Sequence, residues 1–214
     1  MLLLKNLLSF LFPPACVICQ QEGSLFCETC QNQIDFLYFT PKLKTLENYH
    51  YNLQVLGFYT EPLAQVIKAY KYEGVYQLAP ILAKLLYKHL DFPDQIDFIS
   101  YIPLHPKKQR SRGFNQTKLI AQELSLILQK PIITLFIRKF HTQSLASTAN
   151  QQSREKITQN VFGLIAKNLE FLNNKQILII DDVITSGTTF ASCLKLLKPL
   201  HLKKLHLVTL AHEG

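Results

Sequence analysis

Apolar residues fall in two alternating patterns along the chain. Short dense runs at 53–59, 98–102, 132–137, 175–180 and 205–211 read as strands. The run Ile177-Leu178-Ile179-Ile180 is apolar on both alternating faces, which predicts a strand buried on both sides in the middle of a parallel sheet. Between these runs the spacing lengthens to three and four residues, as on one face of a helix. This predicts helices over 61–72, with Pro62 in the first turn, and over 75–90, with Leu78, Leu82, Leu85 and Leu86 on one stripe. Two more carry Leu119, Ile120, Leu124 and Ile127, and Ala191, Leu194 and Leu197 before Pro199. Strand–helix alternation of this kind predicts an α/β fold with a mainly parallel sheet flanked by helices. The last helix would join its two strands as a right-handed crossover.

The strand at 175–180 leads into the stretch richest in chemistry. Asp181 and Asp182 stand side by side where the strand should end. Thr185, Ser186, Gly187, Thr188 and Thr189 follow, then the helix. Ligands of open α/β sheets bind at this edge. Gly187 can take a left-handed conformation, so that successive N–H groups converge on one anion, and the helix N-terminus adds unpaired donors. The loop has no lysine and no GxxxxGK[ST] spacing, which excludes a nucleoside-triphosphate cradle and favours a single phosphate monoester. Two adjacent carboxylates repel and need cations or hydroxyl donors beside them. A ribose diol, with magnesium on the other side of the sugar, would meet that need. A capped turn alone accounts for some hydroxyls but not for the acidic pair.

Composition sets the remaining bounds. The 214 residues, 48% hydrophobic and 18% charged, suffice for one substantial core with a small appendage and exclude a disordered chain. A net charge of +8 favours anionic partners, either phosphorylated metabolites or nucleic acid. The cations concentrate at Lys107, Lys108, Arg110 and Arg112, with no acid between Asp97 and Glu123. With Pro103, Pro106 and Gly113 they predict a mobile anion-binding loop; a solvated charge run is the alternative. Lys68 and Lys71 read as a solvated helix face, as do His201, Lys203, Lys204 and His206.

Four cysteines fall in one window, Cys16-x₂-Cys19 and Cys27-x₂-Cys30, with Gly23 and Ser24 at the turn between the two knuckles. Disulfides or a closed four-thiolate zinc site fit this spacing; nothing else points to an oxidising compartment, which favours structural zinc. Cys193 reads as a buried apolar residue. Residues 1–12 have no basic region ahead of the apolar run, are interrupted by Lys5 and Asn6, and are too short to span a bilayer. A short helix packed on the domain, in a cytoplasmic protein, is the expectation.

Several of these stretches match known motifs. Residues 177–189, ILIIDDVITSGTT, are similar to the phosphoribosyl-pyrophosphate (PRPP) signature of type I phosphoribosyltransferases. Together with the four-Cys knuckle, Tyr70-Lys71-Tyr72-Glu73-Gly74, Pro103-Leu104-His105 and Arg112-Gly113-Phe114-Asn115-Gln116, they make the chain resemble the ComF/GntX family. Its members are phosphoribosyltransferase-like, carry an N-terminal zinc knuckle and are associated with uptake of transforming DNA. The resemblance implies a type I phosphoribosyltransferase fold with a small N-terminal four-Cys zinc-binding module. It divides the chain into an N-terminal helix and knuckle (1–36), a connector (37–52) and a phosphoribosyltransferase-like domain (53–214). It further implies that Asp181 and Asp182 hold the ribose hydroxyls, and that Thr185, Ser186, Gly187, Thr188 and Thr189 hold the 5′-phosphate. Magnesium would bridge diol and pyrophosphate. Leu104 and His105 would begin the segment that approaches the pyrophosphate, with Arg110 and Arg112 stabilising charge on the leaving group. The match loosens at Gln143-Ser144-Leu145, which lacks an intervening residue, and at Arg154, too far from Asn160 for the family's spacing. Arg154 therefore receives no role.

Three functions stay open on these residues. The resemblance implies a transferase of pentosyl groups from PRPP to an acceptor that no residue identifies. A second reading is a factor that handles single-stranded DNA without transfer, alongside the DNA-uptake machinery, with Tyr70, Tyr72 and Tyr101 stacking bases among the cations. The third is a PRPP-sensing regulator.

Overall fold

The computed structural model describes residues 13–37, 40–47, 49–139, 161–165 and 169–213. The expected helix at 1–12 and the segment with Gln143, Arg154 and Asn160 lie outside the described residues.

Nearly all of β5 (Gln176–Ile184) is buried, as its unbroken aliphatic run requires. It pairs in parallel with β6 (Lys204–His212) on one side and β2 (Phe98–Tyr101) on the other, and β1 (Asn52–Phe58) adds to β6, giving the order β1-β6-β5-β2. Ile177 and Ile179 point into one apolar cluster, while Leu178 and Ile180 point into the other. On the latter face lie α2 (Leu63–Tyr72), α3 (Ala79–His89) and α5 (Gln116–Leu128). The opposite face is covered by α6 (Thr188–Leu197), a 3₁₀ turn at Lys44–Leu46, and a hairpin of β3 (Phe136–Arg138) and β4 (Phe162–Leu164). The four-Cys module, with α1 (Glu28–Gln31), buries Cys16, Phe26 and Cys30 in the same cluster as α2 and α3.

Several local expectations are corrected. The run at 132–137 does not extend the parallel sheet: Ile132 makes one isolated bridge to Ile99, and Phe136–Arg138 pairs antiparallel with Phe162–Leu164. The helix expected from residue 61 begins at Leu63, with Pro62 at its N-cap, and the one expected from residue 75 opens with a 3₁₀ turn at Tyr76–Leu78 before Ala79. The cationic stretch is not a loop but a helix, α4 (Pro106–Arg112). His105 caps it by accepting a hydrogen bond from the Lys107 N–H (3.2 Å), Pro106 occupies the first turn, and Gly113 ends it at φ 84°. Those three residues form a start-and-stop signal that the density of charge obscured. His206 is not on a solvated face: it is 2% exposed, with Nε2 3.1 Å from Gln176 Oε1.

Register places the chemistry. β2 stops at Tyr101, opposite Ile180, whereas β5 runs four residues further against β6 alone. Asp181 and Asp182 thus lie inside β5, not beyond it, at the point where one neighbouring strand ends.

Candidate functional site

The gap left by β2 opens a cleft of about 160 Å³ lined by residues from seven segments of the chain. Asp181 and Asp182 come from β5 and Thr189 from α6; Lys71 and Tyr72 come from the end of α2, Ile102, Pro103 and Leu104 from the segment after β2, Lys108 and Arg112 from α4, Gln116 from α5 and Arg138 from β3. Lys108 and Arg112 are four residues apart and share a face of α4, whereas Arg110 lies on another face and borders a separate depression with Pro106, Gln109 and Gly113. Of the two arginines singled out in the sequence, the structure brings only Arg112 to the carboxylates. Leu104 lines the cleft, and His105 serves as the cap of α4.

Asp182 is densely partnered. Its Oδ1 lies 2.9 Å from Lys71 Nζ and accepts from the Val183 N–H at 2.6 Å, and its Oδ2 accepts from Gln116 Nε2 at 2.5 Å. Gln116 Oε1 in turn accepts from Arg112 at 2.5 Å, and the Arg112 guanidinium sits 5.1 Å from the centre of the Tyr72 ring. Lys71 was expected on a solvated face, yet its side chain is only 13% exposed. Lys68, one turn earlier, is the exposed one and faces Glu61. Asp181 accepts only its neighbour's N–H, at 2.9 Å, among the contacts described. Burial pushes its carboxyl up to about 8, with the adjacent Asp182 adding to the rise and Lys71 and Arg138 opposing it. Burial likewise works against the charges of Lys108, beside Arg138 and Arg112, and of Arg138, which Asp181 favours.

The loop after β5 is built for close approach. Gly187 has φ 77° and is buried although Thr185, Ser186 and Thr188 around it are exposed. A Cβ at Gly187 would meet Thr45 Oγ1 at 2.9 Å and Leu43 Cδ1 at 3.0 Å. Thr45 Oγ1 donates to the Ser186 carbonyl, and Tyr49 Oη donates to that of Ala191 at 3.4 Å. The connector therefore braces the loop from behind, leaving its hydroxyls and the start of α6 facing outward.

The second constellation is the knuckle. The sulfurs of Cys16, Cys19, Cys27 and Cys30 lie within 4.8 Å of one another, and Cys19 and Cys27 are 3.6 Å apart. A tetrahedral four-thiolate zinc with Zn–S near 2.3 Å sets sulfurs about 3.8 Å apart, so this donor set fits. Burial disfavours the Cys16 thiolate, but hydrogen bonds from the backbone at Cys19, Cys27 and Ile18 outweigh it and bring the thiol down to about 6. Among the described residues the cleft offers no comparable cage. Asp182 already receives three donors and four cations surround the acids, so a divalent metal there would come with its ligand rather than be held by the protein.

A phosphoribosyl transferase domain matches residues 112–214, which span α5, the hairpin, the acidic pair, the loop and the last two strands. Over 97% of its length the chain is 28% identical to Competence protein F of Haemophilus influenzae, covering 87% of that protein. The chain carries a phosphoribosyl transferase domain and is homologous to Competence protein F. The chain has the type I phosphoribosyltransferase fold, with a parallel sheet and flanking helices, preceded by a four-Cys cluster. It is 27% identical over 154 residues to DNA utilization protein YhgH of Escherichia coli K12, matching 68% of this chain but only 65% of that relative's length. Over 96 residues it is 35% identical to Transcriptional regulator GfcR of Methanocaldococcus jannaschii, covering 45% of this chain and 37% of the regulator.

Sequence reasoning missed Lys71, Gln116 and Arg138 as members of the cleft, and had Lys108 only as one cation of the anion-binding stretch. Lys71 and Gln116 sit inside motifs that carried the resemblance, so a signal existed. Arg138 had none, because its place depends on the hairpin folding back.

Proposed function

We propose that the cleft binds PRPP and that the protein acts on, or is governed by, this sugar in the handling of incoming DNA. The observation that carries the reading is that the buried Asp181–Asp182 pair, Lys108, Arg112 and Thr189 line one cleft, with the braced loop running on from the acids along the chain. The ribose diol would donate to the two carboxylates, Thr185, Ser186, Gly187, Thr188 and Thr189 would take the 5′-phosphate, and the cations would face the pyrophosphate. Magnesium would enter bound to the pyrophosphate and share its charge. In a transfer, the bond from C1 to the pyrophosphate oxygen breaks with its electron pair leaving on pyrophosphate, and an acceptor lone pair fills C1. Lys108 and Arg112 would stabilise the departing charge. Arg110 stands apart from that charge and would serve the outer face. Zinc held by Cys16, Cys19, Cys27 and Cys30 would be structural, since four sulfurs leave no open position.

The names of the relatives support a role with DNA, and one surface supports direct contact with a strand. Tyr72 and Tyr76 are 72% and 54% exposed, next to Arg112 and Phe114. Tyr70 and Tyr101, by contrast, are buried and cannot stack bases. Purified protein should gain thermal stability with magnesium–PRPP, and Asp181→Asn/Asp182→Asn should lose that gain. An unchanged shift in the double variant would overturn the site. Excess magnesium–PRPP should also weaken single-stranded DNA binding at fixed ionic strength if strand and sugar share the cleft; undiminished binding would put the strand elsewhere.

A further inference from the structure

The buried ion pair between Lys71 and Asp182 has a consequence for what the cleft needs from its ligand. A carboxylate offers about four lone-pair positions, and Asp182 already has three filled, by Lys71, the Val183 N–H and Gln116. A diol shared between Asp181 and Asp182 brings one hydroxyl to the last position, which saturates this acid, and a competing anion then draws off the donor least held in place. The Val183 N–H is fixed in β5. Gln116 is 4% exposed, its amide oxygen is taken by Arg112 and its backbone carbonyl by the Tyr70 hydroxyl at 2.7 Å, so it is held at both ends. Lys71 is the partner free to move: a single ammonium on a four-carbon stem, at the penultimate position of α2 and just before the turn at Gly74.

Once withdrawn, the ammonium faces a region already rich in charge. Lys108, Arg112 and Arg138 line the same cleft, so with Lys71 four cations stand against two acids. A polyanion bound there relieves their mutual repulsion and offers Lys71 a new partner, the task that a divalent metal performs for a bound pyrophosphate.

Resting on the sugar-pyrophosphate reading above, we propose that Lys71 is an exchangeable counter-ion. It neutralises Asp182 in the empty cleft and passes to the pyrophosphate when the diol takes the carboxylate, so that the protein binds a sugar pyrophosphate without an obligatory divalent metal. Lys71 is thereby a ligand-binding residue, and the metal dependence of binding is set by it.

The test is the PRPP affinity of the intact, zinc-loaded protein by calorimetry, in saturating magnesium and in buffer freed of magnesium by dialysis. A chelator is avoided because it would also threaten the knuckle. Omitting magnesium should weaken wild-type binding by no more than about tenfold, and Lys71→Met binding by roughly a hundredfold or more. Lys71→Arg, which keeps the charge, should recover part of the metal-free affinity. Equal losses in Lys71→Met with and without magnesium would overturn the exchange. If Lys71→Met does not fold, the wild type decides alone, since binding that vanishes without magnesium overturns the proposal while leaving the PRPP reading intact. Absence of PRPP binding under both conditions overturns that reading, and this proposal with it.

Discussion

The knuckle and the cleft each gather groups that repel when ionised, and they resolve the problem in opposite ways. Four thiols converge within fifteen residues and no cation of the chain lies among their described partners, so the charge has to be met from outside. In the cleft, two carboxylates converge with Lys71, Lys108, Arg112 and Arg138, and the chain supplies the counter-charge itself. The knuckle's fold should depend on a metal, whereas the cleft's fold should not; ligands enter the cleft by exchange, not by filling a void of charge.

The comparison is most directly broken at the knuckle. Cys27→Ser removes one sulfur of four, and structural zinc sites carry folding energy outright. The variant should lose about one zinc per chain by elemental analysis and several kcal/mol of stability, on the order of 10 °C in Tm for a chain of this size. Protein purified under reducing conditions with no zinc and an unaltered Tm would show that the cysteines need no metal.

On the cleft side the internal balance is incomplete, and pH exposes it. The Asp181 carboxyl is held near 8 in the folded protein by burial and by Asp182, against about 3.9 in the unfolded chain. The folded state thus binds the proton more tightly. Stability present at low pH is lost as pH rises from about 4 through about 8, at most a few kcal/mol in ligand-free protein. Asp181→Asn abolishes this titration, so its Tm advantage over wild type should grow between pH 5 and pH 8. A difference independent of pH would mean that Asp181 is ionised throughout.

The smallest effect is expected where the two halves are joined. Thr45→Val keeps the shape but loses the hydrogen bond to the Ser186 carbonyl. It should weaken binding of ribose 5-phosphate several-fold, about 1 kcal/mol, with zinc content unchanged, and Thr45→Ser should restore it. Equal affinity in all three would leave the loop independent of its brace.

These same residues explain what could be read in advance. The cysteines, the acidic pair and the Thr/Ser/Gly loop are each contiguous, so spacing alone exposes their chemistry. The central strand was equally legible, because burial on both faces leaves no alternation to misread. Lys71 was marked only by the motif around it: periodicity shows an exposed-looking helix end and does not say that a carboxylate more than a hundred residues away will claim its amine. Likewise the helix at Pro106–Arg112 hides behind charges that suggest a loop, and only its cap and its terminal glycine tell otherwise. His206 went unrecognised as a core residue because three exposed polar residues, His201, Lys203 and Lys204, closely precede it in sequence.

The contact between Thr45 and Ser186 spans 141 positions. A ribosome makes the connector long before it makes the loop, and β1 must wait as long for β6 to pair with it. The early third of the chain supplies the surface against which the loop of the last third is shaped. A fragment cut to residues 112–214 would hold both aspartates and every hydroxyl of the loop, yet it would lack the surface that gives the loop its shape. Transplanting that fragment into another protein would carry over the letters of the signature without the fold that makes them legible to a ligand.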